Sequence, residues 1–283
     1  MTSRQDRITE LTPRKGWLDI DLAGLWQYRD LLRLLVRRDF VAYYKQTILG
    51  PLWYLVQPLT STLVFTVIFG MVAKLPTDGL PPFLFYLSGL VPWAYFSNCA
   101  VATSGTFTSN VGLFGKVYFP RLILPISVVT TNLFTFSIQF CLFLAFLVYF
   151  KFAGATVAPN WLWIIFFPAL LVQIGLLGIG IGAIVSSLTT KYRDLSLLVN
   201  FGIQLWMYMT PVVYPVSQVP ERWQWVYRLN PMAGVVETFR AMFLGGPGPG
   251  SAAILSSVLV TLAILFAGVV IFNRVERTFV DTI

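Results

Sequence analysis

Residues 252–272 read AAILSSVLVTLAILFAGVVIF, twenty-one in a row without a charge, a proline or an amide. A bilayer's hydrocarbon core, about 30 Å thick, is crossed by about 20 apolar residues in a helix. The stretch meets that length, and its continuity excludes a barrel strand, which would alternate polar and apolar residues. Five further segments share the character: Leu52 to Ala73, Phe83 to Thr106, Leu122 to Phe150, Trp161 to Thr190 and Leu195 to Val216. The expected fold is therefore an all-α integral membrane protein with six transmembrane helices. The third and fourth segments exceed what a span needs, so tilt or extension beyond the lipid is expected. No internal repeat of the kind that builds secondary transporters is visible.

Composition agrees. Charged residues make up 11% of the 283 and hydrophobic ones 57%, with mean hydropathy +0.73, where a soluble domain carries about 25% charged. The chain has no histidine, which removes zinc sites with His ligands and Ser-His-Asp chemistry. Cys99 and Cys141 stand alone in apolar runs, so neither a disulfide framework nor a CxxC motif is expected. The first 50 residues show no secretory signal peptide.

The net charge of +8 is a topology signal rather than a nucleic-acid footprint. With six crossings, fifteen Lys and Arg fall on the side that holds both termini and five on the other: Lys74, Lys151, Arg222, Arg228 and Arg240. Basic residues favour the cytoplasm, which places both termini there and makes the chain a multi-pass protein of a bacterial cytoplasmic membrane.

Outside the spans, residues 1–21 read as a cytoplasmic tail and residues 22–50 as an amphipathic interfacial helix with its junction. Arg29, Arg33 and Arg37 recur every four residues there, beside an apolar face of Leu25, Tyr28, Leu32 and Leu35. Gly50-Pro51 ends that helix and opens the first span. Residues 51–283 form the six-span domain, whose outer segment 217–250 holds short helical patterns around 221–227 and 232–244. The second is too short to cross, so an interfacial or re-entrant helix is expected. None of the spans carries Asp, Glu, Lys or Arg in its middle, which argues against ion-coupled carriers and leaves no catalytic residue and no metal ligand. The chain also lacks a GxxxxGK[ST] phosphate loop. Uphill transport would draw its energy from another polypeptide.

Several runs carry a family resemblance. Residues 43–53, YYKQTILGPLW, continue to Gln57-Pro58; then come LVPW at 90–93, GKVYFPR at 115–121, KYRD at 191–194, TPVVYP at 210–215, and LNP at 229–231 followed by Glu237 and Arg240. In this order and spacing the chain, from about Arg29 onward, resembles the permease subunit of type-2 ABC exporters of lipid-linked polysaccharides such as O-antigen, capsule or teichoic acid. The resemblance implies a homodimer of permeases with two copies of a separate ATPase, which would hold the ATP and Mg. It also implies a channel between the permeases, bordered by the first and fifth spans.

On those spans Trp53, Tyr54, Phe65, Phe69, Trp206, Tyr208 and Tyr214 are the candidate glycan path, because ring faces suit sugar C–H groups and allow sliding. A membrane-interface belt is the plainer reading of such rings. Arg37, Arg38 and Lys45 are candidates for holding a lipid headgroup phosphate, against a plain role as topology anchors. Leu49 and Gly50 lie near the channel entrance in the family. Lys116, Tyr118, Phe119 and Arg121 are candidates for docking the ATPase, with Tyr118 and Phe119 expected to be exposed. Glu237 and Arg240, at i and i+3, can pair on an outer gate helix. Gly178 and Gly182 form a GxxxG, read as close helix packing. The competing functions are an ABC permease for a drug or small lipid, a membrane glycan-processing enzyme, and a passive channel. A neighbouring gene for an ATPase with a phosphate loop separates the exporter from the last two.

Overall fold

The computed structural model describes residues 26–45, 47–110, 119–120, 122–189, 195–246 and 248–280. Among them the fold is all-α, with no strand. Helix α1 (Arg29–Tyr44) places Leu32 and Leu35, with Tyr28 just ahead, on Phe119, Ile123 and Leu124. Its apolar face is thus covered by the chain itself, while Arg29, Arg33, Arg37 and Arg38 stay exposed. Leu25 lies outside the described residues. At the junction Gly50 takes φ +52°, a conformation that costs glycine little, and Pro51 starts a 3₁₀ turn over Gly50–Leu52.

Helix α2 (Trp53–Phe65) runs into a π-helical segment, Thr66–Val72. Pro58 interrupts its ladder, and Thr60, Thr62 and Thr66 each donate to the carbonyl four residues back at 2.7–2.8 Å, a pattern that bends helices. The chain then reverses through Lys74, Asp78 and Gly79, all at positive φ. Helices α3 (Pro82–Ser104), α4 (Ile123–Phe152), α5 (Phe167–Thr189) and α6 (Leu195–Tyr208) follow in alternating directions, and after short α7 (Gln224–Leu229) and α8 (Pro231–Phe243), α9 (Ser251–Val280) closes the bundle.

The bundle is organised around α5, held between α3 on one side and α9 on the other. A Cβ on Gly178 would lie 2.6 Å from the Cβ of Cys99 on α3, and one on Gly180 would lie 2.9 Å from the Cα of Leu265 on α9. Small residues on both faces let three backbones approach.

Of the six expected spans, four have the length and apolarity of a crossing helix among the described residues. Gly50–Val72, Ile123–Phe152, Phe167–Thr189 and Ser251–Val275 are long and apolar enough to cross a membrane; α3 and α6 fall short. Helix α3 has 23 residues, sixteen of them buried, and Tyr86, Ser88, Tyr95, Ser97 and Asn98 dilute its apolarity. Helix α6 has 14 residues and gives way to turns after Tyr208. The expected fourth span splits into Trp161–Ile164 and α5, where Pro168 sits in the first turn of α5, a position that needs no N–H from it.

Helix α8, expected as an interfacial or re-entrant helix, lies inside the bundle. Every residue of it except Glu237 is buried, against α3, α5 and α9. Phe239 and Phe243 interlock with Phe140, Phe143 and Phe167 at ring-centroid distances of 5.2–6.2 Å. It is a core element at the end of the bundle opposite α1.

Candidate functional site

Two helices are left largely uncovered. On α2 and its π segment Trp53, Val56, Leu63, Val64, Ile68 and Met71 are exposed, and on α6 Leu197, Phe201, Leu205 and Tyr208. Amides stand among them: Gln57 on α2 and Gln204 on α6 are exposed. The outward stripe of α9, by contrast, is Leu255, Leu259, Leu262 and Phe266, apolar throughout.

The seven candidate aromatics divide between these faces and the interior. Trp53 and Tyr208 are exposed, at 42% and 46%. Tyr54 is 4% exposed and stacked on Phe40 of α1 at 5.9 Å, so it fixes α1 to α2 instead of facing outward. Phe65 and Phe69 meet edge to face at 5.3 Å and both reach Tyr86 of α3. Trp206 is half-buried, its ring against Phe96 and Trp93 at 5.1 and 6.2 Å. Its indole N–H donates to Asn230 Oδ1 at 3.1 Å. The Tyr214 hydroxyl contacts that of Tyr227 and donates to the Tyr208 carbonyl at 3.1 Å.

Asn230 was not among the candidates. Its Oδ1 also caps α8 by accepting from Met232 N at 3.1 Å, and its Nδ2 reaches Thr210 Oγ1 at 3.0 Å. The signal was present in Asn230-Pro231, since Asn at the cap followed by Pro at the first helical position marks a helix start.

Glu237 and Arg240 are not paired: among the described residues no ion pair joins them. Arg240 turns inward. Its Nε donates to Ser88 Oγ at 3.2 Å, and its terminal nitrogens donate to the carbonyls of Pro211 (2.5 Å), Val212 (3.0 Å) and Phe85 (3.3 Å). The guanidinium carbon lies 3.7 Å from the Phe85 ring centroid, a cation–π arrangement. Burial pulls this arginine down to about 9, opposed by Glu237, Asp78 and Tyr86, so it keeps its charge at neutral pH. Burial also raises Glu237, with the nearby Arg240 charge opposing. Arg240 therefore binds α8 to α3 and to the turn after α6. A cavity of about 700 Å³ opens beside it, lined by Asp78, Ser217, Gln224, Tyr227, Arg228 and Glu237 among others.

At the α1 end, Arg37, Arg38 and Lys45 are exposed. Arg38 Nε bonds Asp39 at 2.7 Å, which leaves Arg37 and Lys45 the freer pair. Leu49 is exposed beside the Gly50 turn. Lys116, Tyr118 and Arg121 lie outside the described residues. Phe119 is 5% exposed, beneath α1 against Leu35, Ile123 and Leu124. The expected exposed aromatic is instead a packing residue, because α1 folds back over the start of α4. Among the described residues no three of Cys, Asp and Glu gather as a metal site would require.

Residues 30–244 match the ABC-2 type transporter family. The chain is 30% identical to an O-antigen export system permease protein, RfbA, of Klebsiella pneumoniae over 89% of this chain and 94% of that one. It is 30% identical to the protein of that name in Myxococcus xanthus over 92% and 97%. To the polysialic acid transport protein KpsM of Escherichia coli it is 25% identical over 81% and 87%.

Proposed function

The chain belongs to the ABC-2 type transporter family, and on that premise we propose that it is the membrane permease of an exporter for lipid-linked polysaccharide of the O-antigen class. It is a transport component rather than an enzyme. The observation that carries the reading is the extent of the likeness: relatives named for O-antigen export match about nine tenths of the chain.

Six crossings follow if α3 and α6 are added to the four apolar helices. Being enclosed by neighbours, α3 needs little lipid-facing apolarity, and the turns after Tyr208 complete what α6 begins. Both termini then lie in the cytoplasm, in line with the basic-residue count, and the membrane is the bacterial cytoplasmic one. ATP hydrolysis on two copies of a separate subunit, which holds ATP and Mg, drives the cycle.

A homodimer joined through α2 and α6 accounts for their open faces. An amide with no partner in hydrocarbon costs on the order of several kcal/mol, so Gln57 and Gln204 are better placed along a wet seam between two copies than against lipid. Trp53 and Tyr208 offer ring faces to sugar C–H groups along that seam, and Arg37 and Lys45 stand at its cytoplasmic mouth for a headgroup phosphate.

Deleting the gene tests the reading. Surface glycan should be lost and lipid-linked glycan should accumulate inside the cell, while the purified chain alone should hydrolyse no ATP. Unchanged surface glycan overturns the proposal.

A further inference from the structure

We propose that the cavity beside Arg240, at the outer end of each permease, is a binding subsite for a short stretch of the exported saccharide; this rests on the glycan reading above. Its volume, about 700 Å³, falls in the range of about 300–1,000 Å³ of small-molecule sites. Its wall includes the α2–α3 turn with Asp78, the stretch with Ser217, α7 with Gln224, Tyr227 and Arg228, and α8 with Glu237.

Those groups form a set that reads hydroxyls. The Glu237 carboxylate, half-buried, has no hydrogen-bond or ion-pair partner among the described residues, nor do the side chains of Gln224 and Arg228. Asp78 uses one oxygen to accept from Ser217 Oγ at 2.9 Å, leaving the other. A half-buried carboxylate without a donor is costly to keep, and a ligand rich in vicinal hydroxyls supplies donors to Asp78 and Glu237 and acceptors to Gln224 and Arg228. The Tyr227 ring adds an apolar face. Arg240, with four of its five N–H donors on Ser88 and three carbonyls, holds α8 in place as the floor. The lip carries Gly245, Gly246 and Gly248, all at positive φ. Each copy thus has a polar recess off the seam in which emerging sugars are held against backsliding.

Isothermal titration of the full permease in lipid nanodiscs tests this. The probe is a set of two- to four-sugar fragments, released by partial acid hydrolysis from the surface polysaccharide of the bacterium that carries the chain. Saturable binding is expected, weakened about tenfold or more by isosteric Glu237→Gln and by Ser217→Trp, which fills the recess from its exposed rim. Both variants should keep the melting temperature. No saturable binding, binding indifferent to both variants, or heat that appears with Mg²⁺ alone overturns the proposal, the last in favour of a cation site. If gene deletion abolishes surface glycan while the fragments fail to bind, only the recess is lost; if deletion leaves surface glycan intact, the export reading itself falls.

Discussion

Arg240 shows how a residue's neighbours, rather than its spacing, decide its role. An i, i+3 partner was the visible option, yet the guanidinium spans a gap that no pairing with Glu237 would fill: two carbonyls of the turn after α6, one carbonyl of α3 and a serine hydroxyl. Hydrogen bonds to charged groups contribute about 1.5–3 kcal/mol each, net of what water supplies in the unfolded chain. Arg240→Met should therefore cost on the order of 3 kcal/mol, read as a lowered melting temperature of the purified protein. Arg240→Lys should fall between Met and the parent, since an ammonium cannot reproduce the planar fork. Equal melting of all three would show that the network adds nothing. Trp206 follows the same logic. Its place on a span marked it as a path residue, while its N–H and both ring contacts are spent inside the chain.

At the scale of elements, the sequence discloses what each helix is made of better than what covers it. The α1 face of Tyr28, Leu32 and Leu35 was legible because a 3.6-residue period needs no knowledge of the partner. That the partner is Phe119 and the start of α4, and not lipid headgroups, depends on a fold-back that leaves no local mark. The burial of α8 was hidden for the same reason. Residues 232–244 are too short to cross and apolar enough for an interface, and only packing against α3, α5 and α9 distinguishes a core helix. Phe119→Ala should remove about 3–5 kcal/mol of buried contact, released locally. Amide exchange across residues 29–44 should rise while α3, α5 and α9 stay protected; unchanged protection of α1 would refute the contact. The glycines of α5 are a sharper case, because GxxxG states its purpose in sequence. Gly178→Ala forces a methyl to within 2.6 Å of the Cys99 Cβ and should cost about 1–3 kcal/mol. Gly202→Ala on α6, with nothing within 4 Å, should be neutral or gain about 0.5–1 kcal/mol from helix propensity. Thermal melting of the two variants should move in different directions or by clearly different amounts.

At the scale of the molecule, the proposed homodimer requires that some uncovered surfaces face lipid and others a second copy. Exposure does not separate them: Leu255 on α9 is 60% exposed and Phe201 on α6 59%. Chemistry does. The stripe of α9 is apolar along its length, whereas α2 and α6 interleave apolar residues with Gln57, Thr60 and Gln204, and α2 ends in a π segment of the kind that often marks functional sites. A bilayer tolerates the first surface and penalises the second. If α2 and α6 form the seam, a two-fold axis runs along it, and residues near that axis meet their own counterparts, as an isologous interface requires. Single cysteines introduced as Leu205→Cys or Phe201→Cys, in a Cys141→Ser background that removes the exposed native thiol, should then give oxidant-dependent dimers in membranes. Leu255→Cys should stay monomeric under the same treatment, although it is as exposed, because lipid keeps its copies apart. Crosslinking from Leu255→Cys with none from either α6 position would move the interface to α9 and leave Gln57 and Gln204 facing hydrocarbon. The polarity of the two surfaces weighs against that arrangement.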